Sequence, residues 1–104
     1  GIYKVTNVTV ENNLVSDVGN AIYMYLADNC VVNKNRISLV HASSFSITGI
    51  YLAGSSGNVI SSNKIGDCKG NGICANNGGR TLNAASTDNK ITGNIINNTL
   101  NDGI

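Results

Sequence analysis

The sequence predicts an all-β fold: a parallel β-solenoid of about four coils. Three observations carry that expectation. A short pattern, apolar-x-x-Asn-x-apolar, occurs four times, at Val10–Val15, Val32–Ile37, Ile60–Ile65 and Ile91–Ile96. Its Asn falls at Asn13, Asn35, Asn63 and Asn94, at intervals of 22, 28 and 31 residues, and such spacing marks a stacked repeat. Composition is the third observation. Eighteen Asn and twelve Gly accompany mainly Ile, Val and Leu, with no Pro, no Trp and one Phe. β-Branched residues suit strands, whereas the aromatic side chains that fill a small sandwich core are nearly missing.

Each element of the repeat has a physical reading. In Ile22-Tyr23-Met24 and Ile50-Tyr51-Leu52 the outer residues share one face and the tyrosine points the other way, as in a strand. In the Asn unit, the first apolar residue closes one strand and the last opens the next. The Asn is expected to turn the corner between them, because it tolerates the left-handed backbone region. Stacked in register, Asn13, Asn35, Asn63 and Asn94 would form a hydrogen-bonded amide ladder. Gly before Ile50, Ile73 and Ile104 is expected to bend the backbone at the next corner. Three inward rows follow: Val10, Val32, Ile60, Ile91; then Val15, Ile37, Ile65, Ile96; then Ile2, Ile22, Ile50, Ile73, Ile104. No run of about ten residues carries the 3.6-residue period of a helix.

Asn-x-Ile-x-x-Asn-x-Ile at Asn58–Ile65 and Asn89–Ile96, with Gly-Ile-x-Leu at Gly49–Leu52, resembles the repeat of the right-handed parallel β-helix superfamily, among pectate-lyase-like and NosD-like carbohydrate-associated proteins. The resemblance covers essentially the whole chain. It implies a right-handed parallel β-helix and a carbohydrate-associated role. It also implies a segment of a longer solenoid, since members usually run to several more coils. The expected location is extracellular or periplasmic, although the chain shows no targeting signal and opens directly on a repeat anchor.

Domain organisation is one β-helix segment over 1–104, interrupted by insertions near 38–48 and 75–88. From Ile37 to Ile50 there are thirteen residues, against seven or eight in the equivalent segments. From Ile73 to Ile91 there are eighteen, against ten from Ile50 to Ile60. Both stretches read as loops projecting from the rod, where binding groups often sit.

Charge excludes some functions. Net charge is +1 and no basic run exceeds two residues, so nucleic acid is not an expected partner. No stretch approaches the ~20 apolar residues of a membrane span. Cys30, Cys68 and Cys74 leave at least one free thiol in a monomer, and a local Cys68–Cys74 disulfide is the one short-range pairing. With a single His and no zinc-ribbon spacing, no metal site and no cofactor are expected.

The strongest binding feature is a row, Tyr3, Tyr23 and Tyr51, which the repeat places at one outward position in successive coils, with Cys74 continuing it. Tyrosine offers a flat apolar face with a polar tip, suited to a sugar ring or a protein partner. The same rings could serve only to stabilise the sheet by cross-strand stacking. Arg36 and Lys64, each following a ladder Asn, share another outward position and could meet an acidic sugar.

Catalytic candidates are thinner. Asp17 and Asp67 each follow a core apolar residue by two positions, two coils or roughly 10 Å apart by the coil rise, near the separation of an inverting carboxylate pair. His41 stands alone as a general base in the first insertion. The acidic calcium cluster with a partnered base, typical of lyases of this fold, is not seen, nor are the motifs of uronate epimerases and polygalacturonases. Three roles remain: a carbohydrate-associated module that binds polysaccharide or scaffolds a site elsewhere; a lyase, hydrolase or epimerase; or an assembly module of a surface or phage-tail fibre. Bare end coils would be completed by further coils of a longer chain or by end-to-end association of copies.

Overall fold

The computed structural model describes residues 2–16, 20–38, 48–68, 70–76 (backbone alone at 76), 86–97, 99 and 103–104. Among these residues there are twelve short strands and no helix. Each coil contributes three strands. The first holds β1 (Ile2–Tyr3), β2 (Thr9–Glu11) and β3 (Leu14–Ser16); the second β4 (Ile22–Tyr25), β5 (Val31–Asn33) and β6 (Arg36–Ser38). The third holds β7 (Ile50–Ala53), β8 (Val59–Ser61) and β9 (Lys64–Gly66); the fourth β10 (Ile73–Asn76), β11 (Lys90–Thr92) and β12 (Ile95–Asn97). They stack into three four-stranded sheets, β1-β4-β7-β10, β2-β5-β8-β11 and β3-β6-β9-β12, and every pairing is parallel. The architecture is the parallel β-helix that the repeat implies.

Two inward rows run as expected: Val10–Val32–Ile60–Ile91 and Val15–Ile37–Ile65–Ile96. Met24, Val32, Ile50, Leu52, Ile60, Ile65 and Ile73 are fully buried, while Val10, Val15, Ile91 and Ile96 pack on them half-buried. Each fully buried aliphatic side chain contributes roughly 1.5–3 kcal/mol, so the middle coils carry most of the apolar stabilisation.

The third row differs at its start. Ile22, Ile50 and Ile73 are in register, but Ile2 pairs with Met24 rather than Ile22. The two-residue shift has a clear cause. Beside Ile22, Ile2 would place Lys4 in the inward row of Met24 and Leu52. The observed register instead puts Lys4 at a turn, exposed, with φ 50° and its N–H donating to the Tyr25 carbonyl at 2.8 Å.

The corners also correct two local expectations. The ladder Asn does not adopt the left-handed conformation; the residue before it does, at Asn12, Lys34, Ser62 and Gly93, with φ of 58°, 55°, 57° and 62°. That turn leaves the Asn side chain directed along the stack. Gly49 and Gly72 do not have positive φ either. They are required by space. A Cβ on Gly49 would lie 2.7 Å from the Gly72 carbonyl oxygen, and one on Gly72 would lie 2.6 Å from that of Gly103.

The polar interior is satisfied. Asn35 and Asn63 are buried, and each Nδ2 in the row donates to the Oδ1 of the next coil: Asn13 to Asn35 at 3.1 Å, Asn35 to Asn63 at 3.0 Å and Asn63 to Asn94 at 3.0 Å. Each of the last three also donates to a carbonyl one coil back, Val10, Val32 and Ile60 respectively. A second amide row stands at another corner. Asn58 Nδ2 donates to Asn89 Oδ1 at 3.0 Å, and Asn58 Oδ1 accepts the Cys30 N–H at 2.8 Å. A serine row runs beside it, with Ser55 Oγ accepting from the Ala27 N–H and Ser86 Oγ from the Ser55 N–H. Among the described residues no buried side-chain polar atom lacks a partner.

Candidate functional site

Two outer faces carry chemistry. On β1-β4-β7-β10, alternation turns Tyr23, Tyr25 and Tyr51 outward while Ile22, Met24 and Leu52 face the core. Tyr23 pairs with Tyr51, and Cys74 follows in the same row. The Tyr23 and Tyr51 rings stack, with centroids 5.3 Å apart and planes at 22°. Tyr3 pairs with Tyr25 along the backbone, yet its ring bridges two neighbours, 5.8 Å from Tyr23 and 6.1 Å from Tyr25. The strip therefore holds four tyrosines, and Tyr25 joins it because of the register shift in the first coil. Tyr3 is 58% exposed and presents the freest ring.

The second face is β3-β6-β9-β12. Its outward row reads Leu14–Arg36–Lys64–Ile95, and the row beside it Ser16–Ser38–Gly66–Asn97. A groove of about 320 Å³ runs across them, walled by Leu14, Arg36, Lys64, Ser38, Asp67 and Asn97. Ser38 Oγ donates to Asp67 Oδ2 at 3.4 Å. Gly66 keeps the floor open, since a Cβ there would lie 2.7 Å from Asn97 Oδ1. Arg36, Lys64 and Asp67 are thus brought together, while the tyrosines stand on a different sheet. The equal offset of Arg36 and Lys64 from their ladder Asn was readable in the sequence. Ser38 and Asn97 were missed, because their meeting with Asp67 depends on the register of three coils. Asp17, His41 and most of both insertions lie outside the described residues. At the flanks, β10 extends to Asn76 and residues 86–88 already stack on residues 55–57.

None of the three cysteines forms a disulfide. Cys30 and Cys68 are buried and donate to carbonyls two residues back, Asp28 at 3.4 Å and Gly66 at 3.8 Å. Burial, and then the Asp67 carboxylate, push the Cys68 thiol up, against a smaller lowering by its hydrogen bond with the Gly49 backbone. Thiolate is the reactive form, so Cys68 is poorly reactive at neutral pH. A thiol-specific chromogenic reagent should modify Cys74 in native protein and reach Cys30 and Cys68 only after unfolding. Rapid native modification of Cys68 would contradict this packing.

The sequence model of one family, described as periplasmic copper-binding protein (NosD), matches residues 2–103. The chain belongs to the NosD family. No curated protein and no solved structure matches it. This NosD chain is therefore a β-helix module of a family described as periplasmic, in keeping with the expected extracellular or periplasmic location.

Copper favours Cys, Met and His donors. Among the described residues, no three His, Cys, Asp or Glu side chains gather where they could hold a metal. Met24 is sealed in the core, and Cys30 and Cys68 sit at different corners with their thiols turned to backbone carbonyls. The described donors of this NosD chain do not fit a copper centre.

Proposed function

We propose that this NosD-family chain is a periplasmic β-helix module that binds polysaccharide, with the tyrosine strip as its contact surface. The observation that carries this reading is the clustering of Tyr3, Tyr23, Tyr25 and Tyr51 on one outer face. The Tyr23 and Tyr51 rings stack along the rod with their faces turned to each other, while Tyr3, 58% exposed, is the ring most open to a ligand. Sugar C–H faces pack on such a ring and sugar hydroxyls bond the phenol tips. The rigid coil beneath holds the strip in place before a ligand arrives, which lowers the ordering cost of binding.

Affinity electrophoresis against a panel of neutral and acidic polysaccharides tests this. Tyr3→Ala should weaken retention by about tenfold, roughly 1.4 kcal/mol, with a smaller loss of thermal stability than Tyr23→Ala because its ring is mostly exposed. Tyr23→Ala should weaken retention too, and should also cost about 0.5–1.5 kcal/mol of stability through lost ring stacking. Retention that is absent from every polymer, or unchanged in both variants, would overturn the reading.

A further inference from the structure

We infer that the groove on the β3-β6-β9-β12 face is a second polysaccharide contact, and that its ligand is a linear polymer bearing carboxylates on successive sugars. This rests on the polysaccharide reading and supplies the substrate class it leaves open.

Three observations support it. Arg36 and Lys64 are register partners on adjacent strands and both are exposed. Like charges placed directly opposite destabilise a sheet. Neither cationic head has a hydrogen-bond or ion-pair partner among the described residues.

Spacing is the second observation. Adjacent strands lie ~4.8 Å apart, so Arg36 and Lys64 present two cations within reach of one short stretch of a polyuronate. A polymer crossing the pair would bring one of its carboxylates to the Arg36 guanidinium and another to the Lys64 ammonium. The guanidinium fork matches a carboxylate with two parallel bonds, and the ammonium serves as a point charge.

The third is the rest of the groove. Leu14, 80% exposed, supplies an apolar wall for a sugar C–H face. Ser38 and Asn97 flank the open floor at Gly66 with hydrogen-bonding groups for sugar hydroxyls, while the Asp67 carboxylate, bonded by Ser38, repels ligand carboxylates and so favours their placement at the Arg36–Lys64 side. A volume of about 320 Å³ holds a sugar unit, not a whole chain, so the polymer would cross the groove and extend beyond it.

The test measures binding of polygalacturonate and of a neutral β-glucan to the full chain, in wild type, Arg36→Ala/Lys64→Ala, Tyr3→Ala and Lys90→Ala. Lys90 is an exposed cation on β11, away from the groove, and reports on charge alone. Wild type should bind polygalacturonate, more weakly as salt rises from about 50 to about 500 mM. The double variant should lose at least tenfold in affinity for polygalacturonate and keep its affinity for any neutral polymer that binds. Lys90→Ala should change neither. The inference is overturned if the double variant binds polygalacturonate as wild type does, or if Lys90→Ala weakens binding as much. Neutral-glucan binding lost in Tyr3→Ala, without polygalacturonate binding, overturns this inference and leaves the strip reading standing. If neither polymer binds wild type, this inference falls, and the strip reading is decided by the full polysaccharide panel.

Discussion

Asn63→Ala is expected to lower the stability of the fold by about 3–5 kcal/mol. The Asn63 side chain makes four bonds. Its Oδ1 accepts from the Asn35 N–H at 2.9 Å and from Asn35 Nδ2 at 3.0 Å; its Nδ2 donates to the Val32 carbonyl and to Asn94 Oδ1, both at 3.0 Å. Truncation leaves several groups unpartnered in a site that water does not reach, and each orphaned group costs about 1–3 kcal/mol. Asn63→Asp keeps the shape but removes both donations and sets an oxygen against two oxygens, so it should be no milder. Asn13→Ala provides the contrast. Asn13 is exposed at the first coil, water replaces its lost partners, and the cost should be about 1 kcal/mol. Urea unfolding followed by circular dichroism measures all three. Equal losses at Asn63 and Asn13 would mean that burial does not set the strength of the ladder.

Gly72→Ala is the second large effect, through sterics alone. The new Cβ would lie 2.5 Å from Ile96 Cγ2 and 2.6 Å from the Gly103 carbonyl oxygen. The isoleucine has a little room to turn, but the carbonyl is held by the Ile73 N–H at 2.8 Å. Overpacking against a fixed backbone atom should cost about 3 kcal/mol, or a fall in Tm of about 10 °C or more for a domain of this size. Gly93→Ala separates space from backbone conformation. Gly93 has φ +62°, and a Cβ there would meet only Ser62 atoms, at 3.7 and 3.9 Å. Its cost should be the left-handed penalty alone, about 1–2 kcal/mol. A larger loss at Gly93 than at Gly72 would reverse the assignment of roles to the two glycines.

Most of the fold was legible because one residue type recurs at a fixed offset from two apolar neighbours. Aligning the ladder Asn aligns Val10 with Val32 and Val15 with Ile37 automatically. The first strand was misaligned for a reason that alternation itself creates. Ile2-Tyr3 matches Ile22-Tyr23 and Met24-Tyr25 equally well, since a slip of two keeps every side chain on its proper face. Lys4 breaks the tie, through the cost of a charge in the core. The corners were less legible. A left-handed residue that is Asn, Lys, Ser or Gly in successive coils shows no single-letter signature, and the ladder Asn beside it drew the assignment. Of the candidate site, the Arg36–Lys64 adjacency followed from the repeat. The open floor at Gly66 did not, because it depends on which side chains its neighbours in the stack present.

The amide ladder has a consequence for the molecule as a whole. All three Nδ2-to-Oδ1 bonds point from the earlier coil to the later one, and the Asn58–Asn89 pair runs the same way. The side-chain dipoles therefore add rather than cancel, and each bond polarises the next, strengthening it by about 10–30%. The rod thus has a polarity of its own, negative toward Asn13 and positive toward Asn94. A further coil entering in the same sense would lengthen this column of dipoles. One entering in the opposite sense would press like ends together, carbonyl against carbonyl or amide against amide. Direction is written into the rod by its asparagines, independently of the order in which the chain threads it.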